Sequence, residues 1–159
     1  MRLALIMMVI SGLGIGFLVP VKPRAAAPVA AAPASKPAEP PRETVLQRSN
    51  GHFNAVADVN GELIRFLVDT GADTVALTME DARRAHVDFD PARFTVVGRG
   101  AGGPVRGQEV VIREITLDGK RASEVHAVVL EGSELSLLGH SYLRELKSVT
   151  MSGDEMVLR

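Results

Sequence analysis

Residues Phe66-Leu67-Val68-Asp69-Thr70-Gly71-Ala72-Asp73 run an apolar strand straight into a carboxylate and then into a Thr-Gly turn. A short apolar run bounded by turn residues reads as a buried strand, and Thr-Gly is turn chemistry. The acid therefore stands where a core strand meets a loop, at the floor of a cleft. Backbone N–H groups and a hydroxyl can hold it there. Gly71 lets the backbone turn tightly and aim its N–H back at the carboxylate. Such a segment demands a sheet to bury its strand.

The surrounding sequence supplies one. His52 to Val59 alternates Phe53, Ala55, Ala57 and Val59 with more polar partners, the period of a half-buried strand. Asn60-Gly61 is a strong hairpin signal, and Glu62 to Val68 returns from it to Asp69. Val75 to Leu77 reads as another strand. Thr78 opens a capping box with Asp81 and a helix from Met79 to about His86. Pro91 breaks the chain before a strand near Phe94 to Val97. Further strands are expected over Glu109 to Leu117 and Ser123 to Leu130, with a turn at Asp118-Gly119. Leu135 to Leu138 reads as a buried strand ending at Gly139. His140 to Leu146 reads as a short helix, and Val149 to Met151 and Met156 to Leu158 as terminal strands. The fold class expected is all-β with one or two small helices.

Between Val96-Val97 and Val105 to Ile112 lies Gly98-Arg99-Gly100-Ala101-Gly102-Gly103-Pro104. Five of the fifteen glycines fall between Gly98 and Gly107, which suits a hairpin tip able to act as a lid. A phosphate loop would need a Lys-Ser/Thr pair and a following helix, and both are missing here.

Ahead of this domain, Arg2 precedes an apolar run from Leu3 to Val19. Its length lies between a signal-peptide core and a membrane span. The poor cleavage context around Ala25 to Ala27, with Arg24 before it and Pro28 after it, favours an uncleaved signal anchor over a removed signal. Residues 20–43 hold seven of the nine prolines and eight alanines, a composition that favours an extended linker. At about 3.1 Å per residue it would reach on the order of 70 Å. The organisation expected is therefore a membrane segment over 1–19, a linker over 20–43 and a folded domain over 44–159. The net charge of −1, one tyrosine and no tryptophan argue against a nucleic-acid partner. The absence of cysteine removes disulfides and thiolate metal sites, and the four scattered histidines show no ligand spacing. No cofactor or metal is expected.

Hydrolysis of a peptide without metal or covalent intermediate needs an activated water and an acid for the departing amine. Two carboxylates about 3 Å apart supply both, because charges that close share one proton. The chain carries a single Asp-Thr-Gly. A chance Asp-Thr-Gly occurs about three times in a hundred chains of this length, so the triplet alone decides little. Two further features accompany it: the apolar Leu137-Leu138-Gly139 strand end with the Tyr142-Leu143 helix after it, and the Gly-rich hairpin between.

In that order these elements resemble the retropepsin-like (clan AA) aspartic proteases, and the resemblance covers about Val45 to Arg159. It is closest to the membrane-anchored bacterial type. The resemblance implies a small closed β-barrel-like lobe with a flap, active as a homodimer on an extended peptide. Asp69 matches the catalytic aspartate, with Thr70 and Gly71 supporting it. Ala72, Asp73 and the flap residues Gly100, Ala101, Gly102 and Gly103 match substrate-binding positions, although Asp73 also reads as a turn cap. The implied setting is the bacterial inner membrane with the domain in the periplasm, or the periplasm after signal cleavage.

One position departs from the pattern. Retroviral enzymes carry arginine directly after the glycine at 139, and this chain has His140. A His140–Asp73 pair would hold only while the imidazole is protonated, near or below histidine's reference value of about 6.5. Arg42 and Arg48 are the other expected sources of that cation. The function expected is an aspartic endopeptidase. The alternatives are a non-catalytic peptide-binding or self-assembling module with the same fold, and a structural module of the cell envelope.

Overall fold

The computed structural model describes residues 39–100 and 102–159. The expected membrane segment over 1–19, residues 20–38 of the expected linker and Ala101 lie outside the described residues. Among the described residues no helix is long and apolar enough to cross a membrane.

Among the described residues ten strands carry the fold: β1 (Thr44–Ser49), β2 (His52–Val59), β3 (Glu62–Val68), β4 (Val75–Thr78), β5 (Thr95–Gly100), β6 (Gly103–Leu117), β7 (Lys120–Leu130), β8 (Ser136–Leu138), β9 (Val149–Ser152) and β10 (Glu155–Leu158). Two short helices, α1 (Met79–Arg84) and α2 (His140–Leu143), and a 3₁₀ turn at Pro91–Arg93 are the other elements among the described residues. The strand order is β5-β6-β7-β4-β8-β3-β2-β1-β10-β9. An additional β2–β6 pairing joins Asp58 to Thr116 and Val59 to Ile115. The pairings thus run from β6 through β7, β4, β8, β3 and β2 back to β6.

Period-2 patterning places the core. Phe53, Ala55, Ala57 and Val59 of β2 are buried, as are Ile64, Phe66 and Val68 of β3, while the intervening residues lie outside. Burying each large side chain stabilises the fold by about 2 kcal/mol. A one-residue slip of β3 would expose Ile64, Phe66 and Val68 together, so its register is strongly specified. Asn60 and Gly61 both take positive φ, 55° and 101°, the geometry that two-residue hairpins require. Asp118 and Gly119 repeat it at 49° and 76°.

The sequence reading missed β1. It pairs with β10 from Thr44↔Leu158 to Gln47↔Glu155 and reaches β2 only at Arg48↔Phe53 and Ser49↔His52. Its main partner lies at the far end of the chain, so local periodicity carries little of the signal. The Asn50-Gly51 turn after it, at φ 52° and 83°, was the available clue. Residues 39–43, counted with the linker, lie against the β6–β7 turn. Arg42 N–H donates to the Asp118 carbonyl at 2.9 Å.

Both helices are shorter than expected. α1 ends at Arg84 because His86 adopts a left-handed φ of 51°. Val87 N–H then returns to the Ala82 carbonyl and His86 N–H to that of Arg83, a Schellman closure. The expected capping box is only half formed. Thr78 Oγ1 accepts from Asp81 N–H at 3.0 Å, but the Asp81 carboxylate goes to Ser136 Oγ at 2.6 Å. Ser136 Oγ in turn accepts from Thr78 N–H at 3.1 Å.

Candidate active site

β3 and β8 run parallel, with Phe66↔Ser136, Leu67↔Leu137 and Val68↔Leu138 in register. Both strands end together, which brings the Asp69 loop against Gly139. Asp69 N–H extends the ladder by one bond to the Leu138 carbonyl, at 3.1 Å. The loop then turns, Ala72 N–H donating to the Asp69 carbonyl at 3.3 Å. His140 N–H closes back on the Ala72 carbonyl at 2.8 Å. Val75 N–H donates to Ser141 Oγ at 2.8 Å, tying α2 to the start of β4. Gly139 is buried where these segments cross. A Cβ there would stand 2.2 Å from the Thr74 carbonyl oxygen and 2.8 Å from that of Ala72, so only glycine fits.

The carboxylate is half-buried, and Gly71 N–H donates to Asp69 Oδ1 at 2.9 Å. This is the hydrogen bond the Thr-Gly turn was expected to provide. Thr70, Gly71 and Asp73 are exposed and Ala72 is half-buried. A cleft of about 290 Å³ opens beside Asp69, lined by Arg48, Gly51, His52, Phe53, Leu67, Val68, Thr70, Met151 and Met156. Leu67, Val68 and Thr70 flank Asp69 in sequence, while the rest of the lining comes from β1, β2, β9, β10 and the turn at Gly51.

Sequence reasoning did not find Met151 and Met156 at this cleft. Both read as members of terminal strands, and nothing local joins those strands to the loop. Arg48 was expected as a partner for Asp73, but the structure uses it elsewhere. Its Nε lies 3.2 Å from Asp154 Oδ1, and its Nη1 and Nη2 donate to the Gly51 and Gly153 carbonyls at 3.1 Å each. Its guanidinium lies 4.6 Å from the Phe53 ring centroid. Arg42 pairs with Glu39 at 3.0 Å and Asp118 at 3.9 Å. The expected His140–Asp73 pair is also replaced. His140 Nε2 lies 3.0 Å from the Thr70 carbonyl oxygen, because α2 starts directly over the loop and turns the imidazole toward the backbone.

The Gly-rich segment forms the expected hairpin, with Arg99↔Pro104 and Gly100↔Gly103 paired next to the tip and a bulge between Val96 and Gly98. Its base is pinned by Arg106, which donates to the Phe94 carbonyl at 2.9 Å and pairs with Glu131 at 3.0 Å. Among the described residues, none from the hairpin tip lines the cleft beside Asp69.

The sequence model of the aspartyl protease family matches residues 55–142 of this chain, a span holding the Asp69 loop, the hairpin and Gly139. This chain belongs to the aspartyl protease family. A crystal structure of a retropepsin-like aspartic protease from Rickettsia conorii resembles it over 74% of this chain and 90% of that one. Sequence identity there is 30% and the TM-score is 0.61. An uncharacterized protein of Sinorhizobium sp., from the cobV 5′ region, is 39% identical over 121 residues, which are 74% of this chain and 52% of that protein. An uncharacterized protein of Rickettsia prowazekii (strain Madrid E) is 32% identical over 117 residues, 73% of this chain and 51% of that protein. The chain therefore spans about half the length of the curated relatives it matches.

Proposed function

We propose that this aspartyl protease family member is an endopeptidase whose catalytic pair is Asp69 from each of two chains. The observation that carries this reading is the half-buried Asp69, presented at the shared end of β3 and β8 with Gly71 N–H on its carboxylate. One carboxylate activates the water while the other protonates the scissile amide, the division of labour open to a pair sharing one proton. The exposed Thr70 and Gly71 leave the loop free to meet its copy. Substrate lies extended over the Asp69 loop, contacted by Ala72 and Asp73 and covered by the hairpin from Gly100 to Gly103, held largely through its backbone. The ring of pairings from β6 back to β6 supports the small closed barrel. Residues 1–19 anchor the chain in a bacterial inner membrane with the domain in the periplasm. Tethering then raises the effective concentration of two copies.

Cleavage of a denatured protein mixture by the full chain between about pH 4 and 7 tests this, alongside Asp69→Asn. Product from the native chain and none from the variant is expected. Crosslinking of the active preparation should capture two chains. Equal product from both would leave only the non-catalytic alternative.

A further inference from the structure

The peptide unit joining Thr70 to Gly71 is hydrogen-bonded at both ends. Its N–H, on Gly71, donates to Asp69 Oδ1 at 2.9 Å. Its carbonyl, on Thr70, lies 3.0 Å from His140 Nε2. A carbonyl oxygen can only accept, so Nε2 carries the proton and donates. The peptide is planar and rigid, so fixing its oxygen also aims its N–H. A hydrogen bond at the oxygen also polarises the amide and strengthens the N–H as a donor, by on the order of 10–30%.

We infer that His140 is a positioning residue for Asp69, acting through the Thr70–Gly71 peptide: the imidazole N–H holds the carbonyl, and the far end of the same amide holds the carboxylate. This rests on the reading of Asp69 as the catalytic acid and adds what orients it. The imidazole is well placed for the task. His140 N–H is itself bonded to the Ala72 carbonyl at 2.8 Å, and Gly139 is wedged against Thr74, so the ring's attachment is fixed on the loop it serves.

The relay differs in kind from an ion pair. The Nε2 proton is present in the imidazolium and in one neutral tautomer, so the contact survives loss of the ring's charge. His140 is also exposed, so its truncation leaves the core intact. Of the other charged and titratable groups, Arg48 and His52 line the cleft beside Asp69, Asp73 follows in the loop, and Arg144 and Glu145 follow α2 and pair with each other at 3.8 Å. All are common to the variants compared.

The test uses the full chain with isotope labels. Asp69 is titrated through its carboxyl ¹³C shift in the wild type, His140→Ala and His140→Gln, and the His140 ring is read through its ¹⁵N shifts. Without Nε2 on the Thr70 carbonyl, the Gly71 N–H stays on the ionised carboxylate but is a weaker and less firmly aimed donor, which raises the titration point of Asp69. The expected rise in His140→Ala is about half a pH unit. Gln places an amide N–H near the Nε2 position and should restore the wild-type value. The wild-type ring, when neutral, should carry its proton on Nε2. In turnover, His140→Ala should lower kcat several-fold with little change in KM, and His140→Gln should recover it.

An Asp69 titration unchanged in His140→Ala would overturn the relay, as would a neutral ring protonated on Nδ1. The ring measurement needs only the wild type, so it decides the matter even if His140→Ala fails to fold. A displaced Asp69 titration without any peptide cleavage would keep the relay and remove the protease reading. Cleavage with an undisplaced titration would do the reverse.

Discussion

The Thr74 carbonyl passes so close to Gly139 that a Cβ on the glycine would stand 2.2 Å from its oxygen. No side-chain rotation relieves a clash with backbone, so one of the two segments must move. Overpacking of this sort costs about 3 kcal/mol. Gly139→Ala should therefore lower the urea midpoint of unfolding by that equivalent and abolish any cleavage through displacement of the Asp69 loop. A variant within about 0.5 kcal/mol of the wild type would show that the crossing is looser than described.

Ser136 is buried with both of its bonds in use, donating to Asp81 Oδ2 at 2.6 Å and accepting from Thr78 N–H at 3.1 Å. Ser136→Ala leaves a buried N–H without its acceptor and a carboxylate without its donor. The expected destabilisation is about 2 kcal/mol. Asp81→Asn should cost less, and the double variant less than the sum, because both act on one network. Strict additivity in chemical denaturation would show that the two side chains are not coupled.

Lys120 and Tyr142 give stability a two-sided dependence on alkaline pH. The Lys120 ammonium is buried, held by the Arg42 carbonyl and by Thr44 Oγ1 at 2.7 Å. Burial lowers its pKa below the ordinary 10.5, opposed by nearby Asp118. Just below that pH the unfolded chain binds more protons at this site, so stability rises with pH and the gain is lost as pH falls through the folded value. Tyr142 donates to the Lys120 carbonyl at 2.8 Å, and burial pushes its hydroxyl above the ordinary 10.0. Its contribution is complete below that pH and is lost above it, where the unfolded phenol ionises and the folded one does not. Urea midpoints taken across the alkaline range should lose the rise in Lys120→Met and the fall in Tyr142→Phe. Parallel curves for all three proteins would contradict both assignments.

Arg48 joins two hairpin turns at the rim of the cleft through Gly51, Gly153 and Asp154. These bonds are exposed and share solvent competition, so Arg48→Met should cost only about 1 kcal/mol overall. Local opening should change more. Hydrogen exchange at β9 and β10 should quicken relative to β2 and β3, and exchange unchanged at the terminal strands would show that the clamp is dispensable.

The strand β3, its Asn60-Gly61 turn and the Asp69-Thr70-Gly71 loop were legible because each depends on neighbours in sequence: a period of two, a pair of left-handed residues, a glycine beside an acid. The Gly71 bond to Asp69 spans two residues and was anticipated for the same reason. β1 was missed because its register is set mainly by β10, at the other end of the chain. The half-formed capping box was misread because Ser136, which captures the Asp81 carboxylate, lies 55 residues away.

By itself, the sequence determined that this chain builds short β-strands and presents one carboxylate at the end of an apolar one, since backbone preference and side-chain alternation act over a few residues. Only the tertiary structure decided that Arg48 and Met151 wall the cleft beside Asp69, and that His140 addresses the Thr70 carbonyl instead of Asp73. Those contacts arise from strands brought together by burial of a common core. Burial constrains which faces meet, while the last few ångströms of hydrogen-bond geometry choose the partner.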